Sequence, residues 1–355
     1  HASFTGPREV TAGDTKVTAK HFVIATGSKP FVPPIPGVND VPYFTNETIF
    51  EHRTRPDHLI IIGGGPIGVE MAQAHRRLGS SVTIIEGGKI LGRDDPDLVD
   101  VVRARLVKEG VEIVDDAKAE KISRTENGVS VSIGARTIEG SHLLIAVGRR
   151  ATVSGMNLEA AGVDYSDKGI KTDNRLRSTN KRIYAVGDVA GGLQFTHVAG
   201  YHASIVVRNI LFKMPARNKE HLAPHVTYCD PELAQIGLTE NAAREKHGDI
   251  KVVRWPFAQN DRAEAERDTQ GFIKVVTDKK GRILGAGIVG HSAGDLLQPL
   301  TLAVSAGLKI RAFTDMIAPY PTRSEASKRA AGAWYSDTLF SPRTRMLISF
   351  LSMFD

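Results

Sequence analysis

Short, mostly apolar runs recur along this chain at Leu59–Ile62, Val82–Ile85 and Leu143–Val147, with a further short strand at Val111–Val114. That is the form a strand takes when both its faces are buried in a parallel sheet. Between the first two runs a helix-forming stretch goes from Pro66 to about Leu78 and stops at Gly79. Pro66 falls at the first helical position, where a missing N–H costs little. Asp95 caps and Pro96 opens a second helix, Asp97–Lys108, which Gly110 ends. Lys121–Ile133 alternates around Asn127-Gly128, a strong hairpin signal. Val17–Ala25 and Arg182–Val186 read as strands running into glycine, and a helix begins near Thr196 and continues through 203–212. Gly155–Asn180 is polar and irregular. From His225 the pattern changes to α+β, with antiparallel strands at Thr227–Gly237, Lys251–Phe257, Gly271–Thr277 and Ile283–Val289. Helices follow at Ala293–Ala306 and Ile310–Met316, and the basic, apolar tail Arg343–Phe350 reads as a docked terminal helix or, less simply, a membrane-surface element.

Polar and proline-rich stretches divide these elements. Lys29–Gly37 is a stiff, extended connection with the character of a domain crossover. Asn39–Asp57 is a linker with a short helix, and Asn218–Pro224 looks like a boundary. A length of 355 residues suits two or three domains, and 41% apolar with 24% charged is ordinary globular composition. No run approaches a membrane span. The first ten residues lack the apolar core of a signal peptide, and with no initiator Met the chain is expected to begin inside a longer protein. The net charge is +6 and the pI about 9.3, with the cations scattered. That argues against nucleic-acid binding and suits anionic cofactors. The one cysteine, Cys229, excludes an internal disulfide or a cysteine-rich metal site and fits a reducing, cytoplasmic compartment.

The chemistry concentrates in His58–Glu86. Gly63, Gly65 and Gly68 form G-x-G-x-x-G directly after a strand and before a helix, and Glu86 closes the next strand. Strand, glycines, helix, strand and terminal acid together make a dinucleotide fingerprint. The glycines allow a tight turn and close backbone approach, and the helix N-terminus faces a pyrophosphate. A carboxylate at Glu86 accepts hydrogen bonds from ribose hydroxyls and repels a 2′-phosphate, so NAD is expected over NADP; Lys89 and Arg93 nearby soften that preference.

Three glycine-ending signatures line up: ATGS at Ala25–Ser28, GGGPIGVE at Gly63–Glu70 and TNKRIYAVGD at Thr179–Asp188. With VTYCDPELAQIGLTE at Val226–Glu240, they resemble the pyridine nucleotide–disulfide oxidoreductase family, whose members include dihydrolipoyl dehydrogenase, glutathione reductase and mercuric reductase. The resemblance implies an α/β architecture of Rossmann-like FAD and NAD(P) domains, the FAD domain incomplete here, plus an α+β dimerisation domain. The expected division is 1–37 for a partial first FAD segment, 38–150 for NAD(P) binding, 151–218 for a second FAD segment and 219–355 for dimerisation. The family's own N-terminal glycine motif and its redox cysteine pair have no counterpart in these residues, so the stretch alone is expected to be inactive in disulfide chemistry.

The same resemblance assigns residues. Thr26, Gly27 and Ser28 correspond to a backbone ledge under FAD. Gly187 and Asp188 end the second FAD motif, where the carboxylate suits a ribityl hydroxyl or, more simply, caps a turn. Thr196 and His197 open a helix whose N–H groups face the flavin pyrimidine edge. Gly63, Gly65, Ile67, Gly68, Glu86, Ala119 and Gly148 make up the NAD site. Glu70 matches a carboxylate near the nicotinamide, although an acid early in a helix also complements the helix dipole unaided. Tyr320 and Glu325 stand in A-P-Y-P-T-R-S-E where relatives have H-P-T-x-x-E, the general acid–base and its orienting Glu. A phenol titrates near pH 10, too high for an efficient base at neutral pH, which speaks against lipoamide or glutathione as substrate. Mercuric reductase also has Tyr there but adds terminal cysteines that this chain lacks; Cys229 reads more simply as a packed thiol, and no metal site is expected. The implied function is FAD-dependent transfer from NADH to a disulfide or thiol-bound acceptor in a homodimer. A metal reductase, a flavin reductase or oxidase needing no cysteine, and a nucleotide-binding, dimerising fragment remain as alternatives.

Overall fold

The computed structural model describes residues 1–354, which divide into two compact units. One comprises residues 54–119, 132–141 and 224 onward; the other comprises 1–53, 120–131 and 142–223.

In the first unit, β1 (His58–Ile62), β2 (Ser81–Ile85) and β3 (Val111–Val114) pair in parallel, with Ile62 beside Ile85 and Ile85 beside Val114. Leu59, Ile60, Ile61 and Ile84 are fully buried, as an unbroken apolar run in a covered sheet requires. Helix α1 (Pro66–Arg77) connects β1 to β2, and α2 (Pro96–Glu109) connects β2 to β3. Asp95 caps α2 by accepting the Asp97 N–H at 3.2 Å, and Gly110 ends it in the left-handed conformation. These bounds lie within two residues of the expected ones.

In the second unit, the expected strand Val17–Ala25 is two, Thr15–Thr18 and Phe22–Ile24, because the chain leaves the first pairing before it enters the second. Thr15–Thr18 closes an antiparallel meander with Ala2–Gly6 and Glu9–Ala12, whereas Phe22–Ile24 runs parallel to Ile183–Ala185. Gly155–Asn180, polar by composition, still contributes Leu158, Ala161, Val163 and Ile170 to a core with Phe4, Ile24, Ile183, Ala185 and Val189. Helix α3 (Thr196–Ile210) follows, burying Val198, His202, Ile205 and Val206.

From His225 the chain returns to the first unit and forms a five-stranded antiparallel sheet. Its strands are β4 (His225–Thr227), β5 (Glu232–Gly237), β6 (Ile250–Pro256), β7 (Phe272–Asp278) and β8 (Ile283–Gly290), in the order β4-β5-β8-β7-β6. The single strand expected at Thr227–Gly237 is a hairpin instead: β4 and β5 pair with each other, and Pro231, which has no N–H to donate, lies in the turn. The helix expected over Ala293–Ala306 is broken at Leu297, ahead of Pro299, into Ala293–Leu296 and Gln298–Ala306. Glu240–His247, capped by Thr239, and Glu325–Trp334 are helices without a forecast. The tail is helical at Pro342–Leu351 but is not docked among the described residues: none of its residues is buried, and Met346, Leu347, Ile348 and Phe350 are each more than half exposed. Among the described residues no helix is long and apolar enough to cross a membrane.

Candidate functional site

The turn after β1 is built by exclusion and then fastened. A β-carbon on Gly68 would overlap the Gly63 carbonyl oxygen, so only glycine lets α1 start this close to the strand. Gly65, the residue before α1, has open space where a side chain would project, which leaves the backbone approachable from that side. Glu86 holds the turn from β2: one carboxylate oxygen accepts the Gly64 N–H at 2.6 Å and the other the Gly88 N–H at 3.0 Å. The acid expected to bind ribose therefore also shapes the glycine loop, and its remaining lone pairs can accept from hydroxyls. Lys89 is committed to Asp116 at 2.6 Å and Asp115 at 3.7 Å, while Arg93 is exposed. Ile67 lies on the first turn of α1, and Ala119 lies beyond β3 in a segment without regular structure.

Glu70, one turn into α1, accepts the Tyr228 N–H at 2.8 Å. Burial pushes its carboxyl above the ordinary range, and that hydrogen bond only partly draws it back. Next to Tyr228, burial pushes the Cys229 thiol up to about 12, and its hydrogen is directed at the Pro231 carbonyl at 3.2 Å, so it is a packed thiol rather than a reactive one.

Tyr320 is exposed, and its O–H donates to Asp261 at 2.9 Å; that bond first, and the same carboxylate's charge second, raise the phenol above its ordinary value. Glu325 lies at the start of Glu325–Trp334 and pairs with Arg329 at 2.7 Å, so within the chain it is Asp261 that engages the phenol. The Tyr320 loop is pinned from the same quarter. Asn260 donates to the Thr322 carbonyl at 3.0 Å, and the buried Arg323 reaches Glu266 at 2.8 Å and the Asp268 carbonyl at 3.0 Å.

A second cluster lies in the other unit. Ser28 donates to Asp188 at 2.5 Å and accepts from the Arg149 guanidinium at 2.7 Å, so the ATGS and VGD signatures meet through one hydroxyl. Thr26 donates to the Thr152 carbonyl at 2.7 Å. Gly27 and Gly148 have φ of 68° and 117° with nothing in front of either backbone. Thr196 and His197 are exposed on the first turn of α3, where Phe195 provides no side-chain cap, and the Phe195 and His197 rings stack at 5.2 Å. The sequence reading missed Arg149, whose only signal is its place after Gly148, and Asp261, His202 and Glu220, whose roles depend on distant partners. Among the described residues no group of three His, Cys, Asp or Glu side chains is placed to hold a metal ion.

A three-stranded parallel βαβ core with a glycine turn and an acid at the end of its second strand defines a dinucleotide-binding protein. Residues 1–203 match the family model for pyridine nucleotide-disulphide oxidoreductases, and residues 223–331 match that family's dimerisation domain. The chain belongs to the pyridine nucleotide-disulphide oxidoreductase family, which is FAD-dependent and uses a pyridine nucleotide. It is 36% identical to a mercuric reductase from Bacillus cereus over 93% of this chain and 53% of that protein. A dihydrolipoyl dehydrogenase from Staphylococcus aureus is also 36% identical, over 88% of this chain and 68% of its own length. The structure of the HOCl-induced flavoprotein disulfide reductase RclA from Escherichia coli superposes with a TM-score of 0.87 at 33% identity, covering 93% of this chain and 78% of that one. The chain thus spans about half to two thirds of the length of the curated relatives it matches.

Proposed function

We propose that this protein is a FAD-dependent oxidoreductase that takes hydride from NADH and delivers two electrons to a disulfide or thiol-bound acceptor, as a homodimer in a reducing, cytoplasmic compartment. The observation that carries the reading is the Gly63–Gly68 turn held open by Glu86. The pyrophosphate of NADH would lie against the backbone of Gly63, Gly65, Ile67 and Gly68 at the start of α1, and its adenosine ribose against Glu86, with Ala119 lending backbone. Lys89, tied to two aspartates, offers little to a 2′-phosphate, which supports NADH over NADPH. Glu70, raised toward its neutral form by burial, would orient the nicotinamide.

The residues of the second cluster fit a flavin. Open backbone at Gly27, the Thr26–Ser28 ledge, Gly187 and the hydroxyl-linked Asp188 suit a ribityl chain, and Thr196 and His197 suit the ring's pyrimidine edge. When bound, FAD supplies a two-electron hydride acceptor. Tyr320, kept protonated by Asp261, would turn its O–H from that carboxylate to the departing thiolate, or present its oxygen lone pairs to a bound metal, with Glu325 fixing the helix behind it. The match of residues 223–331 to a dimerisation domain supports the homodimer, and the change of family model between 203 and 223 supports a boundary near 218. We keep 1–37 and 151–218 as flavin segments, 38–150 as the nucleotide-binding insertion and 219–355 as the dimerising region.

Cys229, the one cysteine of this sequence, is buried with a thiol at about 12, so these 355 residues supply no dithiol of their own. The mercuric reductases among the relatives favour mercuric ion as a second acceptor class. The test is an anaerobic visible spectrum before and after NADH. A flavin band that bleaches stoichiometrically is expected, and a protein without a flavin band overturns the reading. Oxidation of NADH that depends on mercuric ion selects the metal acceptor, whereas dye or oxygen turnover insensitive to thiol alkylation removes the disulfide step.

A further inference from the structure

His202 and Glu220 take no part in the hydride route, yet they form the most enclosed imidazole–carboxylate pair in their unit. His202 lies on the second turn of α3 and is 1% exposed. Its Nδ1 accepts the Gly187 N–H at 3.2 Å. A ring nitrogen that accepts must keep its lone pair, so the ring proton sits on Nε2. Nε2 lies 3.3 Å from Glu220 Oε2 and has no aligned hydrogen-bond partner.

Glu220 reaches the far end of the same loop. Its Oε1 accepts the Leu193 N–H and packs against Gly192, where a β-carbon would not fit, and its Oε2 accepts from Asn218 at 3.2 Å. The loop 187–193 is therefore fastened at its entry by the imidazole and at its exit by the carboxylate, and the two fasteners face each other. Gly187, Gly191 and Gly192 all have positive φ, so the loop has little conformational bias of its own. Asp188, the residue linked to Ser28, lies between the fastened ends.

We propose that His202 and Glu220 are a positioning pair that closes the Gly187–Leu193 loop and so sets Asp188 and the start of α3 for the flavin. The proposal rests on the flavin reading above. Without the imidazole, the Gly187 amide is buried and unpaired; without the carboxylate, Leu193 is released and Nε2 faces no charge. Each loss loosens the same loop, so the two effects overlap rather than add.

The test is a cycle of His202→Leu, Glu220→Ala and the double variant in the full-length, flavin-loaded protein, read by FAD dissociation and by amide hydrogen exchange. Each single variant is expected to weaken FAD retention roughly tenfold, with the double no worse than the weaker single. Protection should fall at Gly187 and Leu193 and stay unchanged across β1–β3. His202→Asn, whose Oδ1 can still accept from Gly187 while Glu220 still holds Leu193, should restore protection at both ends of the loop. Additive losses, unchanged exchange in the loop, or unchanged FAD retention overturn the proposal. A wild-type protein without flavin overturns the flavin reading and the pair's role toward that ligand, while hydrogen exchange still decides separately whether the pair holds the loop.

Discussion

The Gly63–Glu86 turn and the Tyr320 loop both depend on carboxylates, but they reach them differently. The turn draws Glu86 from the next strand of one βαβ unit, and the acid grips backbone N–H groups. The Tyr320 loop draws Asn260, Asp261, Glu266 and Asp268 from 55 to 62 residues upstream, and three of those four contacts are made to side chains. A turn fastened through its own backbone is specified by glycines and one acid at fixed spacing. A loop fastened by side chains can keep its sequence signature while changing which partner it engages, as the pairing of Tyr320 with Asp261 and of Glu325 with Arg329 illustrates.

The largest effect is expected where long-range fastening is buried. Lys274, 3% exposed, bonds both oxygens of Asp95 at 2.7 and 2.9 Å, Asp97 at 2.6 Å and Glu240 at 2.8 Å. Burial alone would lower its ammonium, but these three carboxylates together hold it above its ordinary value. Lys274→Ala leaves Asp95 buried without a counter-charge and should cost about 3–5 kcal/mol in urea unfolding. A loss below about 1 kcal/mol would remove distant side-chain partners as the stronger kind of fastening.

Next comes the turn. Gly68→Val puts branched carbon against the Gly63 carbonyl and should abolish NADH binding, a loss of at least about 100-fold by titration, whereas Glu86→Ala should weaken it by about tenfold by releasing Gly64 and Gly88. Equal losses from both would mean that the acid, not the backbone, dominates.

Glu70→Gln gives a smaller effect on stability, with a definite sign. The folded protein raises this carboxyl, so between the ordinary value of 4.5 and the folded value the native state binds more proton than the unfolded state, and stability falls as pH rises through that window. The glutamine variant lacks this decline and should gain on the wild type as pH increases from 4.5 toward neutrality in parallel melts. The same variant should slow NADH-dependent flavin reduction by roughly tenfold, because it leaves nicotinamide orientation to other groups. The smallest expected effect is at Asp261: Asp261→Asn should bring the Tyr320 phenol back toward 10 in an ultraviolet titration, with stability almost unchanged because both groups are exposed.

The same contrast explains what could be read from residues alone. β1 to β3, α1 and α2 were legible because mostly apolar runs, Asp95-Pro96 and the glycines each act within a few positions. The hairpin of β4 and β5 was not, although Asp230-Pro231-Glu232 interrupts its apolar positions, because β4 is only three residues long and its pairing with β5 is what reveals the turn. The tail's apolar residues promised a buried helix, but burial depends on a neighbour that the pattern does not name. Glu86, Asp188 and Ser28 were legible as candidates; that Ser28 and Asp188 share a hydroxyl bond across 160 positions was not. His202 gave no signal, since a histidine inside a helix has no local pattern that points to a loop preceding it.

The Lys274 cluster also sets a rule for recombining relatives. Asp95 and Asp97 belong to the start of α2, Glu240 and Lys274 to the C-terminal sheet region, and Gln73 of α1 bonds the Asp230 backbone across the same seam at 2.7 Å. A chimera that takes the two segments from different parents must carry these residues as a matched set, because a mismatch leaves the buried Lys274 ammonium or the buried Asp95 carboxylate unanswered. Crossovers inside this seam should be rarer among viable hybrids than crossovers in the exposed turns of either segment.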